Sequence, residues 1–228
     1  MTLKIYTSTR ADGSMKSIHD SDIASTNMSR SRFLEENNIN PVETTLVRLT
    51  YGQGDYLRYF EVNSSHKGDG ITRKSTLVSD ALVATKSNHA LFLPIGDCIG
   101  AIIHDPDQNI LMVSHLGRHN LEQYGGVESI KYLVEHHNVD PSRLKIWLSP
   151  AAGKDTYPVF AFDNHSLHDV AIRQLCDAGV SSENIEASSV DSAKDAAYYS
   201  HSQFLKGNQA DDGRFAVVAI LREQLEIE

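Results

Sequence analysis

The chain has 228 residues, of which 40% are hydrophobic, so it can bury a sizeable core. Its formal charge of −9 at pH 7 argues against a broad attraction to nucleic acid or to anionic membranes. The N-terminus lacks the charged and apolar stretches of a secretory leader, and no segment has the length of a membrane span. We therefore expect one cytoplasmic domain over residues 1–228, with no nucleic-acid or membrane partner.

Short apolar runs with many β-branched residues predict strands. In chain order these runs cover 3–6, 45–49, 56–62, 90–93, 99–103, 110–113, 144–148 and 215–221. Apolar residues three and four apart predict helices over 27–38, 121–137 and 164–178. Helices interleaved with strands predict an α/β fold, a single three-layer domain with a mixed central sheet.

Two polar segments that contain glycine predict surface loops, at 63–76 and 206–212. Both are too hydrophilic to be expected in a core. The first is long enough to act as a lid over a binding site.

The residue types best suited to chemistry lie within 79–117. Cys98 stands between two predicted strands, and His115 ends the following strand. If the strands on either side of the 105–109 turn form a hairpin, Cys98 and His115 lie at the same end of it. A thiol beside an imidazole can act as a nucleophile with its base, or can bind zinc or copper. The spacing alone leaves both options open, together with a purely structural role.

Six short motifs follow one another along the chain: SDAL at 79–82, GDC at 96–98, SHLG at 114–117, SPAAG at 149–153, YYS at 198–200 and DGR at 212–214. Their order and approximate spacing resemble those of the laccase-domain proteins, also known as the polyphenol oxidase or purine nucleoside phosphorylase family. TRADGS at 9–14 is similar to the motif that opens this family. The resemblance therefore covers most of the chain.

The resemblance implies a three-layer α/β fold related to that of cysteine-hydrolase-like toxins. It implies phosphorolysis of purine nucleosides, in some members with deamination of adenosine, and so phosphate as a co-substrate. It also implies a metal held by two histidines and a cysteine, with Cys98 and His115 as two of the ligands. Zinc is the expected metal. Copper and laccase chemistry are less favoured, because the 11 histidines show no repeated His-x-His pattern.

The sequence departs from the family pattern at the first metal ligand. Tyr51 stands where the resemblance places a histidine, and a neutral phenol with a pKa near 10 is a poor zinc ligand. His119 and His66 are the candidates to replace the missing imidazole. Metal binding is therefore an open expectation.

The favoured hypothesis is an enzyme of the purine nucleoside phosphorylase or adenosine deaminase type, with a small nucleoside as its substrate. One alternative is a metal-free hydrolase or deamidase, because a thiol and an imidazole suffice for nucleophile and base. Another is a catalytically silent domain. The expected catalytic residues are Cys98, His115 and Asp97. The expected substrate contacts are Arg10, Arg118, Arg214, Tyr51 and Ser200.

Overall fold

The computed structural model describes residues 1–16, 23–52 and 54–223. Within these ranges the strands form two mixed sheets, one of four strands and one of six. The predicted α/β class with mixed strand directions is confirmed. The strands divide between two sheets, however, instead of forming one central sheet.

The described elements comprise ten strands and five helices. The strands are β1 (Thr2–Thr7), β2 (Thr44–Leu46), β3 (Tyr59–Val62), β4 (Ala81–Ala84), β5 (Ala90–Ile95), β6 (Ile99–Asp105), β7 (Ile110–Leu116), β8 (Lys145–Leu148), β9 (Ile185–Ala187) and β10 (Phe215–Arg222). The helices are α1 (Ile23–Glu36), α2 (Arg118–Glu122), α3 (Gly125–His137), α4 (Leu167–Asp177) and α5 (His201–Leu205). The sheet orders are β1-β10-β5-β2 and β3-β4-β7-β6-β8-β9.

The two sheets pack face to face, and helices cover their outer faces. One apolar cluster joins Leu111 and Val113 of the larger sheet to Leu93 and Val217 of the smaller sheet. A second cluster joins α3 and α4 to the outer face of the larger sheet, and a third joins α1 to the outer face of the smaller one. Strands such as β5, β6 and β7 are buried along their whole length, so they need apolar cover on both faces. The layers therefore run helix, sheet, sheet, helix.

The β6–β7 hairpin that the sequence predicts is confirmed. The two strands pair antiparallel, with Ile99 opposite Leu116 and Gly100 opposite His115. Their turn is held by the Asp105 carboxylate, which accepts hydrogen bonds from two backbone N–H groups of the following residues. The residue before β6 and the residues at the end of β7 consequently lie at one edge of the sheet.

Two local predictions were wrong in detail. The helix predicted over 121–137 is divided into α2 and α3, because Tyr124 takes a left-handed conformation with φ of 60° between them. The segment 63–76 was expected to stay outside the core, yet Ile71 is 1% exposed and belongs to the cluster beneath α1. A single apolar residue is enough to anchor an otherwise polar segment.

Among the described residues, no helix combines the length and apolar character that crossing a bilayer needs.

The cluster between the sheets predicts where the fold is most sensitive to truncation. Leu111 is fully buried there, so Leu111→Ala should lower the free energy of unfolding by about 2–5 kcal/mol through lost contacts and a cavity. Leu205 in α5 is 69% exposed, and Leu205→Ala should stay within about 0.5 kcal/mol of the parent. Urea unfolding measures both values. Equal effects of the two substitutions would contradict this account of the core.

Candidate active site

Cys98 and His115 meet at one end of the β6–β7 hairpin. Cys98 directly precedes β6, and His115 lies opposite Gly100 in β7. A Cβ atom on Gly117 would lie 2.9 Å from Cys98 Sγ and 2.9 Å from His115 Nε2, so these two atoms are separated by at most twice that distance. Glycine at 117 therefore leaves the space that the thiol and the imidazole share.

Both groups are uncharged at neutral pH. Burial raises the pKa of the Cys98 thiol to about 12, and the nearby charge of Asp97 adds to the shift. Burial lowers the pKa of the His115 imidazole to about 4. Both ring nitrogens of His115 are buried and have no hydrogen-bond partner within the described part of the chain. The pair is thus a neutral thiol beside an imidazole whose two nitrogens are free to bind a ligand.

Cys98 and His115 help to line a cavity of about 730 Å³, a size common for small-molecule sites. Among the described residues that line this cavity, no side chain is acidic. Such a cavity attracts an anion even though the chain as a whole is negatively charged. Six lining residues are cationic, namely Lys16, Arg30, Arg48, Arg73, Lys74 and Arg214.

Of the expected substrate contacts, Tyr51 and Arg214 line the cavity. Arg214 lies close to Gly96, where an added Cβ would be 2.9 Å from its Cδ, and its Nη1 donates a hydrogen bond to Asp212. Tyr51 is half-exposed at the cavity wall, and partial desolvation together with the nearby Cys98 raises the pKa of its phenol above the usual range, so the phenol stays neutral. These two residues therefore stand beside the thiol, as a neutral hydroxyl and a positive charge.

Asp97 and Ser200 form a buried cluster next to the cavity and are not part of its lining. The Asp97 carboxylate accepts hydrogen bonds from the hydroxyls of Ser200 and Ser202 and from the backbone N–H of Ser202. Asp97 itself has a φ of 76°, in the left-handed region. Asp97 was expected to be catalytic and Ser200 to contact the substrate, whereas the structure places both outside the cavity lining, where their polar atoms bind each other and hold the turn before Cys98.

Arg10 and Arg118 also lie outside the lining of this cavity. The Arg10 guanidinium stacks over Tyr199 at 4.7 Å and faces a separate, smaller pocket. The Arg118 side chain lies over Tyr157, and its backbone N–H donates a hydrogen bond toward the Cys98 sulfur. The cavity is instead lined by cations that the sequence analysis did not identify, in addition to Arg214. Only the basic pair Arg73 and Lys74, within the possible lid, gave a signal that could have found them.

A family model described as a multi-copper polyphenol oxidoreductase laccase matches residues 4–167. This chain belongs to the laccase-domain family. No curated protein matches the sequence.

Three solved structures share the fold of this family member. They are the hypothetical protein YfiH of Bacillus licheniformis (TM-score 0.83, 16% identity, 96% of this chain and 93% of that one), YlmD of Geobacillus stearothermophilus (0.82, 18%, 97% and 92%) and NMB0706 of Neisseria meningitidis (0.74, 14%, 97% and 95%). At these identities the likeness establishes the fold alone.

The residues of this laccase-domain protein do not fit the metal site that the family resemblance implies. The described residues contain no group of three His, Cys, Asp or Glu side chains placed to hold a metal ion. His119 instead stacks on Tyr56 at 4.8 Å, and His66 Nδ1 accepts a hydrogen bond from the Asn63 backbone. One thiol and one imidazole fall short of the three protein ligands that a catalytic zinc takes.

The raised pKa of Cys98 predicts slow alkylation of this thiol. The chain has two cysteines, so Cys176→Ala leaves Cys98 as the only reporter. Because only the thiolate reacts, the rate with iodoacetamide should be low at neutral pH and should rise about tenfold per pH unit up to about pH 10, without a plateau. A plateau near the ordinary thiol pKa of about 8.5 would contradict the neutral pair.

The missing ligand predicts a gain of zinc binding in Tyr51→His. The new imidazole would join the thiol and the imidazole that line the same cavity and would complete three protein ligands. Competition with a chelating dye should show weak zinc binding in the parent and at least tenfold tighter binding in the variant. Tyr124→His, on an exposed tyrosine outside the cavity lining, is the matched control and should bind no better than the parent. Unchanged affinity in Tyr51→His would remove Tyr51 from the ligand position.

Proposed function

We propose that this chain catalyses the phosphorolysis of a purine nucleoside in the cavity above Cys98 and His115. The observation that carries the proposal is the distribution of charge in the cavity. Cationic side chains line it, and the end formed by Cys98 and His115 holds two neutral hydrogen-bond donors. Phosphorolysis joins an anionic nucleophile to an uncharged substrate, so it needs both features in one site. The family of this chain includes proteins similar to purine nucleoside phosphorylases, which supports the same reaction class.

Arg214 and Lys16 are the residues we assign to phosphate. Both line the cavity, and Arg214 stands beside Gly96 at the turn that carries Cys98. The pKa of Lys16 is lowered by burial and by the positive charge of Arg214, so these two cations are neighbours. Asp212 accepts a hydrogen bond from Arg214 and so fixes its guanidinium. A phosphate between the two cations would relieve their mutual repulsion and place its oxygen for attack on C1′ of the ribose.

His115 and Cys98 are the residues we assign to the leaving purine. As phosphate forms its bond to C1′, the bond from C1′ to the purine nitrogen breaks and its electron pair stays on the base. A neutral imidazole has one N–H that can donate a hydrogen bond to that base, and the neighbouring thiol supplies a second donor. Binding the purine would also satisfy the ring nitrogens of His115, which lack partners in the described residues.

The two alternative activities find less support in this site. Deamination needs an activated water, and the donor set does not fit the metal that would supply one in a zinc deaminase. A Cys/His hydrolase must move the thiol proton to the imidazole before or during attack. Burial raises the pKa of the Cys98 thiol and lowers the pKa of the His115 imidazole, so it disfavours that transfer.

The proposal predicts that purified protein releases hypoxanthine from inosine, and adenine from adenosine, only when phosphate is present. Cys98→Ala should lower the release at least about 100-fold, because the substitution removes one of the two hydrogen-bond donors that stabilise the leaving base. Chromatography of the free base measures the rate. Cys176→Ala is the matched control and should keep the parent rate, since Cys176 lies on α4, outside the cavity lining.

Other outcomes of this experiment would contradict the proposal in different ways. Base release that does not depend on phosphate would indicate hydrolysis, and conversion of adenosine to inosine would indicate deamination. Activity that persists in Cys98→Ala would remove the thiol from the mechanism. Activity that a chelator abolishes would show that the site holds a metal after all.

A further inference from the structure

The cavity extends from its reactive end to a second cationic region on another layer of the fold. Cys98 and His115 belong to the six-stranded sheet, whereas Arg30 belongs to α1 on the outer side of the four-stranded sheet. Packed layers are about 10 Å apart, so a ligand that reaches both regions must be extended. Arg214 and Lys16 are the cations assigned above to the co-substrate, and the cations near α1 line the cavity in addition to them.

Arg30 is held in a fixed orientation by two backbone carbonyls, and no carboxylate of the described residues pairs with it. Its Nε donates a hydrogen bond to the Met15 carbonyl at 2.8 Å, and its Nη1 donates one to the Gly70 carbonyl at 2.7 Å. The residue is 8% exposed, and burial lowers the pKa of its guanidinium to about 10. Nη2 makes no hydrogen bond with any described residue. Burying a cation costs free energy unless an opposite charge lies beside it. This edge of the guanidinium is therefore a suitable place for an anionic ligand.

Two further polar side chains line the same cavity, and one of them, Asn27, accepts a hydrogen bond of 3.5 Å from Arg30 Nη1 through its Oδ1. Lys74 is exposed and forms no ion pair within the described residues, and Asn27 contributes an amide. Arg73 also lines the cavity, and its Nε donates a hydrogen bond of 2.6 Å to Asp69, so one edge of its guanidinium is already occupied, as the Arg214 guanidinium is by Asp212. We call Asn27, Arg30 and Lys74 the α1 subsite. It combines a planar guanidinium fork with a flexible ammonium, which is the donor set that phosphate groups take in proteins.

We propose that the α1 subsite binds a phosphate ester carried by the substrate, so that the natural substrate is a nucleoside monophosphate and not a free nucleoside. The inference rests on the proposed function for the reaction itself. Hydrogen phosphate attacks C1′, the bond from C1′ to the purine breaks, and the base leaves with the proton that the attacking phosphate gives up. The ester is untouched, so the second product is a ribose that carries both the original phosphate and the new one at C1.

The inference predicts that the protein prefers AMP to adenosine. Calorimetric titration in phosphate-free buffer should give a Kd for AMP at least tenfold lower than that for adenosine. The ratio of the two affinities should fall toward one as the salt concentration is raised, because the extra affinity for AMP is electrostatic.

Two substitutions test the location of the subsite. Arg30→Lys keeps the charge and loses the planar guanidinium, and Lys74→Ala removes an exposed charge without affecting the core. Each should reduce the AMP preference several-fold and leave adenosine affinity unchanged.

Lys86→Ala is the matched control for Lys74→Ala. Lys86 is an exposed lysine in the turn between β4 and β5, outside the cavity lining, so its removal should leave the AMP preference intact. Equal affinities for AMP and adenosine in the parent would overturn the inference. A preference that survives in both Arg30→Lys and Lys74→Ala, or that Lys86→Ala reduces as much, would overturn the location.

Inorganic phosphate separates the two sources of anion. If added phosphate raises adenosine affinity to that of AMP and Lys74→Ala removes this rise, the α1 subsite holds the free co-substrate, and the ester assignment is wrong. Turnover separates this inference from the proposed function. Equal kcat/KM for base release from adenosine and AMP would leave phosphorolysis standing without the subsite. Tight, Arg30-dependent AMP binding with no base release would leave the subsite standing without phosphorolysis.

Discussion

The antiparallel pairing of β6 with β7 is the interaction on which the rest of the site depends. Its register places Gly100 opposite His115, so the residue before β6 meets the end of β7. Both strands are buried throughout, and a slip by one residue would turn every apolar side chain to the wrong face. The meeting of thiol and imidazole is therefore secured by the core of the protein, and Gly117 adds only the space between them.

The turn that carries Cys98 is held from the other end of the chain. Asp97 takes a left-handed backbone conformation that favours glycine and costs free energy in other residues. Hydrogen bonds from Ser200 and Ser202 to its carboxylate offset that cost, and the Ala152 backbone N–H donates to its carbonyl at 2.8 Å. Asp97 thus acts on the chemistry through position, because it fixes where the sulfur stands and adds to the forces that keep the thiol protonated.

Tyr51 and the cationic side chains together determine which ligands the cavity can bind. A site with one thiol, one imidazole and a neutral phenol is poor in metal ligands but rich in hydrogen-bond donors. Phosphoryl groups are bound by such donors and by positive charge, without a need for a metal. The chain as a whole carries a formal charge of −9, whereas the charged side chains that line the cavity are positive. The cavity therefore favours an anion although the protein as a whole is negatively charged.

The sequence by itself determined the α/β class, the β6–β7 hairpin and the neighbourhood of Cys98 and His115. Each follows from local information: apolar runs of strand length, a short turn, and two reactive residues at strand ends. Only the tertiary structure decided that two sheets pack together, that Asp97 and Ser200 bind each other, and that Arg10 and Arg118 lie outside the cavity. It also brought Lys16, Arg30 and Lys74 to one cavity from separate segments. Charged side chains follow no periodicity that a sequence displays, so where they converge depends on how the layers pack.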